Sequence, residues 1–397
     1  MIFTDEFGWI WMDMMEGNMQ YRSLYKEDIK LSALGLGCMR LPQGEDKKID
    51  RPHALKMMRT AVERGVNYFD SAYGYHGGES EVVVGEALKE IGRDKVYIAT
   101  KMPCGQVQSK EDLTRILDEQ LKRLGVDTID FYLFHAVSAN TWKKMLDLDA
   151  LTFLDKAVEK GKIRFPGFSH HDSLDHFKEV IDAYPKWVVA QIILNYLDNL
   201  YQAGLDGCAY AAERNVNIVI MEPLKGGVLT NKVPENVAAL FREADPGVTL
   251  AEWALRWMYS VPEATCILSG MSDMRQLEEN LDSFDKFGRL ADIGLSEAEK
   301  KLFDDAKLAF LQYNGVSCTT CRYCLPCPAN VDIPGVFGHY NIIKIFNDVG
   351  QAKMRYGRML FSGTSGGECA ECGRCEELCP QHLPIMELLK EAHAAMK

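Results

Sequence analysis

Residues 67–81 read NYFDSAYGYHGGESE. The apolar run from Asn67 to Ala72, which carries the acidic Asp70, reads as a short buried strand. Glu79 to Ile91 behind it reads as an amphipathic helix, so the stretch is one strand-then-helix unit. Working outward, the same alternation runs from residue 32 to about residue 290, with seven further apolar runs at Leu34 to Leu41, Val96 to Lys101, Ile129 to His135, Ile163 to Ser169, Val188 to Asn195, Asn217 to Pro223 and Thr265 to Gly270. Helical stretches lie between them, among them His53 to Arg64, Lys110 to Leu124, Trp142 to Lys160 and Leu250 to Tyr259. Eight βα units of this size predict an α/β fold of the (β/α)8 TIM-barrel type over an open doubly wound sheet. No GxGxxG follows a strand, which argues against a Rossmann domain.

The chain of 397 residues exceeds a barrel of roughly 250 residues, so a second domain is expected. Beyond Asp292 the alternation stops and a helical linker from Ser296 to about Leu311 begins. Farther on, Ile333 to Leu360 and Pro384 to Met396 read as helical, which predicts a small, mainly α-helical second domain. The expected division is an N-terminal extension over 1–18, a barrel over 19–295 and a second domain over 296–397.

Hydrophobic residues make up 47% and charged residues 26%, ordinary values for a globular chain. The net charge of −12 repels phosphate backbones, which excludes nucleic acid as an expected partner. No apolar run reaches the roughly 18 residues that span a bilayer; even Trp187 to Leu197 is broken by Gln191 and Asn195. The first 18 residues carry Asp5, Glu6, Asp13 and Glu16 and no Lys or Arg, so the positive segment of a secretory signal is missing and a cytoplasmic location is expected.

A parallel barrel places its chemistry at the C-terminal ends of its strands. Polar residues there are Asp70, Lys101, His135, Ser169, and Gln191 with Asn195. Each alone reads most simply as the first solvated residue of a loop; several converging on one mouth read as a site. Asp70 and Tyr75, five residues apart, join Lys101 of VYIATK and His135 of DFYLFH in a chemically coherent set. Reducing a carbonyl needs a proton donor at oxygen, and a tyrosine is too weak an acid to serve well at neutral pH. A lysine beside it favours the phenolate, a carboxylate holds the lysine charged, and the histidine can hydrogen-bond the substrate oxygen.

In this set the chain resembles the aldo/keto reductase superfamily, whose catalytic tetrad Asp70, Tyr75, Lys101 and His135 match. Supporting segments are LGLGCMRLP at the first strand, RLGVDTIDFYLFH, GKIRFPGFS, Gln191 to Asn195, and QLEENL after the eighth. Tyr73 competes as donor, and the family's spacing selects Tyr75. The resemblance further implies an NADP or NAD cofactor. Met39 of the first-strand segment belongs to its binding residues, and Ser169, His170 and Gln191 hold the nicotinamide carboxamide. Met221 stands where many members have a stacking aromatic, Pro223, Leu224 and Gly226 of EPLKGG pass the pyrophosphate, and Gln276, Glu279 and Asn280 face the adenosine. Near the expected mouth His76, His170, His171 and Lys225 would suit a polar or anionic substrate, or are loop residues in water.

Of twelve cysteines, eight fall between Cys318 and Cys379, which in a cytoplasmic chain means metal. CTTCRYCLPCP carries Cys318, Cys321, Cys324 and Cys327 before Pro328; CAECGRCEELCP carries Cys369, Cys372, Cys375 and Cys379 before Pro380. The second is the bacterial ferredoxin run, in which the cysteine before proline ligates the other cluster when two runs are present. The expected partition is Cys318, Cys321, Cys324 and Cys379 on one 4Fe-4S cluster and Cys369, Cys372, Cys375 and Cys327 on the other. Two all-cysteine zinc sites are the alternative, which the triple CxxCxxC run fits less well. The domain resembles the α-helical two-cluster ferredoxin domains of multi-centre dehydrogenases and reductases.

Three functions compete at this level. One is an NAD(P)-dependent oxidoreductase that moves hydride between the cofactor and a carbonyl or alcohol, its clusters serving electron transfer or structural capping. A second is an electron-transfer enzyme, with flavin as a conceivable but unindicated helper, linked to a ferredoxin-like carrier. The third is a catalytically quiet redox sensor or subunit.

Overall fold

The computed structural model describes residues 19–290, 292–313, 315–318 and 322–397. The expected N-terminal extension and Cys321 lie outside the described residues.

A short antiparallel hairpin, β1 (Tyr21–Ser23) and β2 (Lys30–Ser32), opens the described chain. Eight parallel strands follow: β3 (Leu34–Gly37), β4 (Tyr68–Asp70), β5 (Tyr97–Pro103), β6 (Ile129–Val137), β7 (Ile163–His170), β8 (Val189–Ile193), β9 (Asn217–Met221) and β10 (Ala264–Ser269). They pair in chain order, and β10 closes on β3, forming a sealed barrel with no free edge. Each of the eight apolar runs read from the sequence lands on one of these strands.

The helices between them are α1 (Arg51–Glu63), α2 (Glu79–Ile91), α3 (Lys110–Leu124), α4 (Ala139–Asp147), α5 (Ala150–Glu159), α6 (Leu174–Asp182) and α7 (Gly204–Glu213). Then come α8 (Val228–Asn231) and α9 (Glu235–Ala244) after β9, α10 (Leu250–Tyr259) before β10, and α11 (Met274–Phe287) after it. Local chemistry sets their ends: α3 starts at Ser109 with a reciprocal capping box to Asp112 and stops at Gly125 in the left-handed region. The stretch from Trp142 to Lys160 is two helices, because Asp149 takes φ 58 between α4 and α5.

The hairpin was not anticipated from periodicity. Its Leu31 and the adjoining Leu24 and Ile29 pack on Tyr68, Ala99, Phe131, Phe165, Val189, Val219, Cys266 and Leu268, filling the N-terminal end of the barrel. Side chains alternate along a strand, so the residues two places beyond several of these plug residues also point inward, one layer nearer the other end. That upper layer contains Asp70, Lys101 and Gln191.

By internal contacts the chain forms two compact units; the first runs through residue 225 and resumes over Ala251–Leu295, and the second comprises Gly226–Leu250 and Ser296–Lys397. The excursion between β9 and α10 therefore groups with the C-terminal residues. Its own amphipathic helix explains this: α9 buries Val237 and Phe241, and Phe241 meets Phe303 of α12 (Glu297–Leu311) with ring centroids 5.7 Å apart. The rest of the second unit is α13 (Ile333–Phe346), α14 (Val349–Ser362), α15 (Arg374–Glu377) and α16 (Ile385–Met396). The long helix read over Ile333 to Leu360 is broken at Asn347, φ 51. Val336, Phe337, Tyr340, Tyr356, Ile385 and Leu389 form this unit's core together with Cys375 and Cys379. Among the described residues no helix is long and apolar enough to cross a membrane.

Close approach of α2 to α3 depends on Gly85, where a Cβ would lie 2.5 Å from the carbonyl oxygen of Leu124. Gly85→Ala should lower unfolding stability by about 1–3 kcal/mol through overpacking. Gly105→Ala, where a Cβ meets nothing within 4 Å, should change it little; denaturant unfolding of the two variants checks the contrast.

Candidate functional site

Asp70 ends β4 opposite Ala99 of β5, and Lys101 lies two residues beyond Ala99, so both side chains enter the barrel on the same face of adjacent strands. Lys101 Nζ donates to Asp70 Oδ1 at 2.6 Å and to the carbonyl of Ser71 at 2.7 Å. Lys101 is 1% exposed and Asp70 3%. Tyr75 reaches the pair from the turn after β4: its ring centroid is 5.1 Å from Lys101 Nζ and 5.9 Å from the His135 ring, which meets it edge-on. The four residues are thus brought together. Tyr73 is not: its hydroxyl donates to Glu119 Oε2 at 2.9 Å, and the Arg123 guanidinium lies 4.3 Å over its ring.

Burial disfavours the Lys101 ammonium, but Asp70 and Tyr75 more than offset this and hold its pKa above the usual value. Burial raises the Asp70 carboxyl against the pull of Lys101 and Gln191. For Tyr75, burial again dominates; Lys101 pulls the phenol down only in part, and its pKa ends above 10.0. The net lowering of the tyrosine expected from the lysine alone is therefore reversed, because the ring is taken out of water.

Ser169 and Gln191 stand beside each other on β7 and β8, both buried. Ser169 Oγ accepts the Ala136 N–H at 2.9 Å, leaving its own proton to donate, and Gln191 Oε1 is buried with no hydrogen-bond partner among the described residues. A hydroxyl donor next to an unsatisfied amide acceptor fits a carboxamide, which presents one carbonyl and one NH2. His170, one residue on, faces the opposite side of the sheet: its Nε2 lies 3.0 Å from His176 Nδ1 of α6, and its ring packs on Phe177. Strand alternation thus takes it away from Ser169, against the expectation that both would grip one group.

The remaining expected cofactor residues are more dispersed. Met39 is 46% exposed after β3, and Met221 closes β9. Pro223 is buried and Leu224 half-buried; Lys225 pairs with Asp198, while Gly226, φ 71, belongs to the second unit and accepts there from Gln351 Nε2. On α11, Gln276 Oε1 accepts from the Ser272 N–H, Glu279 lies 3.5 Å from Arg275, and buried Asn280 donates to Ser269 Oγ at 2.8 Å. His76 Nδ1 lies 3.2 Å from Gln43 Nε2.

One group of functional interest was missed. Buried Glu81 and Gln120 bond to β5 on the face opposite Lys101. The signal was a polar residue in an apolar helical stripe: Glu81 with Val84 and Leu88, Gln120 with Leu113, Leu117 and Leu124.

In the second unit, Cys324, Cys327, Cys369, Cys372 and Cys375 line one cavity, walled by Ile333, Met386 and Leu389. A second cavity is lined by Cys318, Cys324 and Cys379 with Phe337, Leu383 and Ile385. Thiols at the rim of an apolar pocket are the donor set that iron-sulfur clusters take. Cys327 lies with the 369–375 cysteines, and Cys379 with Cys318 and Cys324.

Comparison with known proteins agrees with both halves. Residues 33–301 match the aldo/keto reductase family, and residues 317–383 match the 4Fe-4S dicluster domain. L-galactose dehydrogenase of Arabidopsis thaliana is 28% identical over 289 residues, covering 66% of this chain and 87% of that protein. L-glyceraldehyde 3-phosphate reductase of Escherichia coli O157:H7 is 27% identical over 322 residues, covering 69% of this chain and 90% of its own length. Among solved structures, a thermostable aldo-keto reductase, Tm1743, in complex with the inhibitor epalrestat superposes with a TM-score of 0.60 at 26% identity, over 72% of this chain and all of that one. With the tetrad geometry in a closed barrel, these matches establish that the chain belongs to the aldo/keto reductase family and carries a 4Fe-4S dicluster domain.

Proposed function

We propose that this chain is an NAD(P)H-dependent reductase of a small carbonyl compound, able to run as an alcohol dehydrogenase, with two 4Fe-4S clusters in its C-terminal domain. The observation that carries the reading is the Asp70–Lys101 ion pair buried beneath Tyr75 and His135. A barrel kept only for binding has no use for a buried lysine aimed at a tyrosine. When bound, the nicotinamide supplies the hydride.

Tyr75 gives its hydroxyl proton to the carbonyl oxygen. Burial makes the phenol a weaker acid still, and the Lys101 ammonium offsets this in part by stabilising the phenolate left behind. Asp70 holds Lys101 charged and aimed, and His135 hydrogen-bonds the substrate oxygen. Ser169 and Gln191 hold the carboxamide, Met221 packs against the nicotinamide ring, Pro223, Leu224 and Gly226 pass the pyrophosphate, and Gln276 with Glu279 faces the adenosine. The relatives named for L-galactose and L-glyceraldehyde 3-phosphate support a small hydroxylated aldehyde or its alcohol as substrate.

In the second unit we assign one cluster to Cys318, Cys321, Cys324 and Cys379 and the other to Cys327, Cys369, Cys372 and Cys375. The clusters supply one-electron storage. Electron exchange with a ferredoxin-like partner is the role we assign to them. A cytoplasmic location suits this reading, since thiolates and reduced nicotinamide are maintained there.

Tyr75→Phe and Lys101→Met should each reduce carbonyl turnover about a hundred- to ten-thousand-fold while nicotinamide binding stays nearly unchanged. Full turnover in Tyr75→Phe sinks the assignment.

Anaerobically purified protein should be brown with about eight irons per chain, four for each cubane. Metal analysis that finds zinc and little iron overturns the cluster reading.

Because the folded pKa of Tyr75 lies above its unfolded value, its contribution to stability is present below about pH 10 and is lost as pH rises through the folded value. Chemical denaturation across the alkaline range should show a shallower decline in Tyr75→Phe than in the parent.

A further inference from the structure

Behind the tetrad, on the helix side of the sheet, one carboxylate joins the two elements that must keep register for proton transfer. Glu81, in the first turn of α2, is 0% exposed. Its Oε1 accepts from Thr100 Oγ1 at 2.5 Å and from Gln120 Nε2 at 2.7 Å. Thr100 immediately precedes Lys101 on β5, and the same Gln120 Nε2 donates to the Lys101 carbonyl at 3.1 Å. Gln120 is itself fixed through its Oε1 by the Tyr132 hydroxyl at 2.7 Å. This half of the contact sets the position of the strand residue whose ammonium enters the barrel.

The other oxygen serves the turn that carries Tyr75. Glu81 Oε2 accepts from Arg123 Nη1 at 3.1 Å, and Arg123 Nη1 also donates to the Tyr73 carbonyl at 2.9 Å. The guanidinium lies so close to Gly78 that a Cβ there would sit 2.9 Å from Nη1. Arg123 thereby grips the turn on both sides of Tyr75. The turn needs such a grip, since His76, Gly77 and Gly78 hold three consecutive positive φ values (51, 68 and 98), and His76 carries a Cβ there.

We propose that Glu81 is a positioning residue: acting through Arg123 on the Tyr75 turn and through Thr100 and Gln120 on β5, it sets the distance between the Tyr75 hydroxyl and the Lys101 ammonium. This rests on the reading of Tyr75 as proton donor, but the geometric claim can be tested apart from turnover. Glu81→Gln keeps the shape, yet one end of the amide must present NH2 either to the guanidinium or to the Thr100 and Gln120 donors, so one half of the bridge is lost. Arg123→Lys keeps the charge but replaces the planar fork with a single ammonium.

The test uses the full-length, cluster-loaded protein labelled with 13Cζ-tyrosine, the Tyr75 signal being identified by its absence in Tyr75→Phe. In Glu81→Gln the Tyr75 signal and its alkaline titration should shift, and kcat for a small aldehyde should fall about ten- to a hundredfold. The KM for nicotinamide should stay within about twofold. Arg123→Lys, which keeps the buried carboxylate, should move the same signal in the same direction and serves if Glu81→Gln does not fold. Glu81→Asp should recover part of both readouts. A Tyr75 signal and titration unchanged in both Glu81→Gln and Arg123→Lys, whatever their melting temperatures, overturns the proposal. If Tyr75→Phe keeps full turnover, the donor reading fails by itself, and the spectral shift still decides whether Glu81 positions the ring.

Discussion

Lys101 and Asp70, 2.6 Å apart and almost wholly removed from water, form the contact around which the barrel is arranged. Burying two charges costs several kcal/mol for each ion before their attraction is counted, and the attraction offsets this only when the remaining polar valences are filled. Here Ser71 supplies a carbonyl to the ammonium, Gln191 favours the ionised carboxylate, and the Lys101 ammonium lies over the Tyr75 ring, while Asp70 Oδ2 stays buried with no hydrogen-bond partner among the described residues. A pair held this way cannot drift, because either partner moving alone leaves an uncompensated charge in the interior. The price of that rigidity is met below the pair by an apolar plug, which the β1–β2 hairpin completes with Leu24, Ile29 and Leu31.

The same strand that carries the chemistry inward carries its support outward. On β5, Lys101 faces the barrel while Thr100 faces Glu81 and Gln120 of the surrounding helices. On β7, Ser169 stands beside Gln191, whereas His170 is delivered to His176 and Phe177. Period-two alternation therefore sends neighbouring polar residues to opposite faces of the sheet without any change of residue type. Read one at a time, Ser169 and His170 look like equal candidates for the same ligand, and only the pleat separates them.

The second unit follows a different logic. Its core is built on three helices, and two of its cysteines, Cys375 and Cys379, are part of that core. The cysteine that precedes each proline lines a cavity with thiols of the other run, Cys327 with Cys369, Cys372 and Cys375, and Cys379 with Cys318, while Cys324 lines both cavities. The excursion 226–250 contributes α9 to this unit, so a segment that leaves the end of a barrel strand is stabilised by the helix that leads to the cysteines.

The sequence by itself determined the number and order of the barrel strands, because a parallel strand buried on both faces must be a short apolar run and its crossover helix must be amphipathic. It also determined the presence of a 4Fe-4S domain, because the spacing of its cysteine runs is local and therefore readable, and it picked out Asp70, Tyr75, Lys101 and His135, which the fold brings together. What it left open depended on contacts distant along the chain. The break at Asp149 and the break at Asn347 each turn on one residue's backbone angle within an otherwise helical pattern. The direction of the Tyr75 pKa turned on how deeply the ring is buried, which the presence of a lysine does not reveal. The joining of Glu81 to Thr100, 19 residues away, and to Arg123, 42 residues away, was likewise decided only by the folded barrel, since a polar residue in an apolar stripe has no partner until the sheet and its helices close around it.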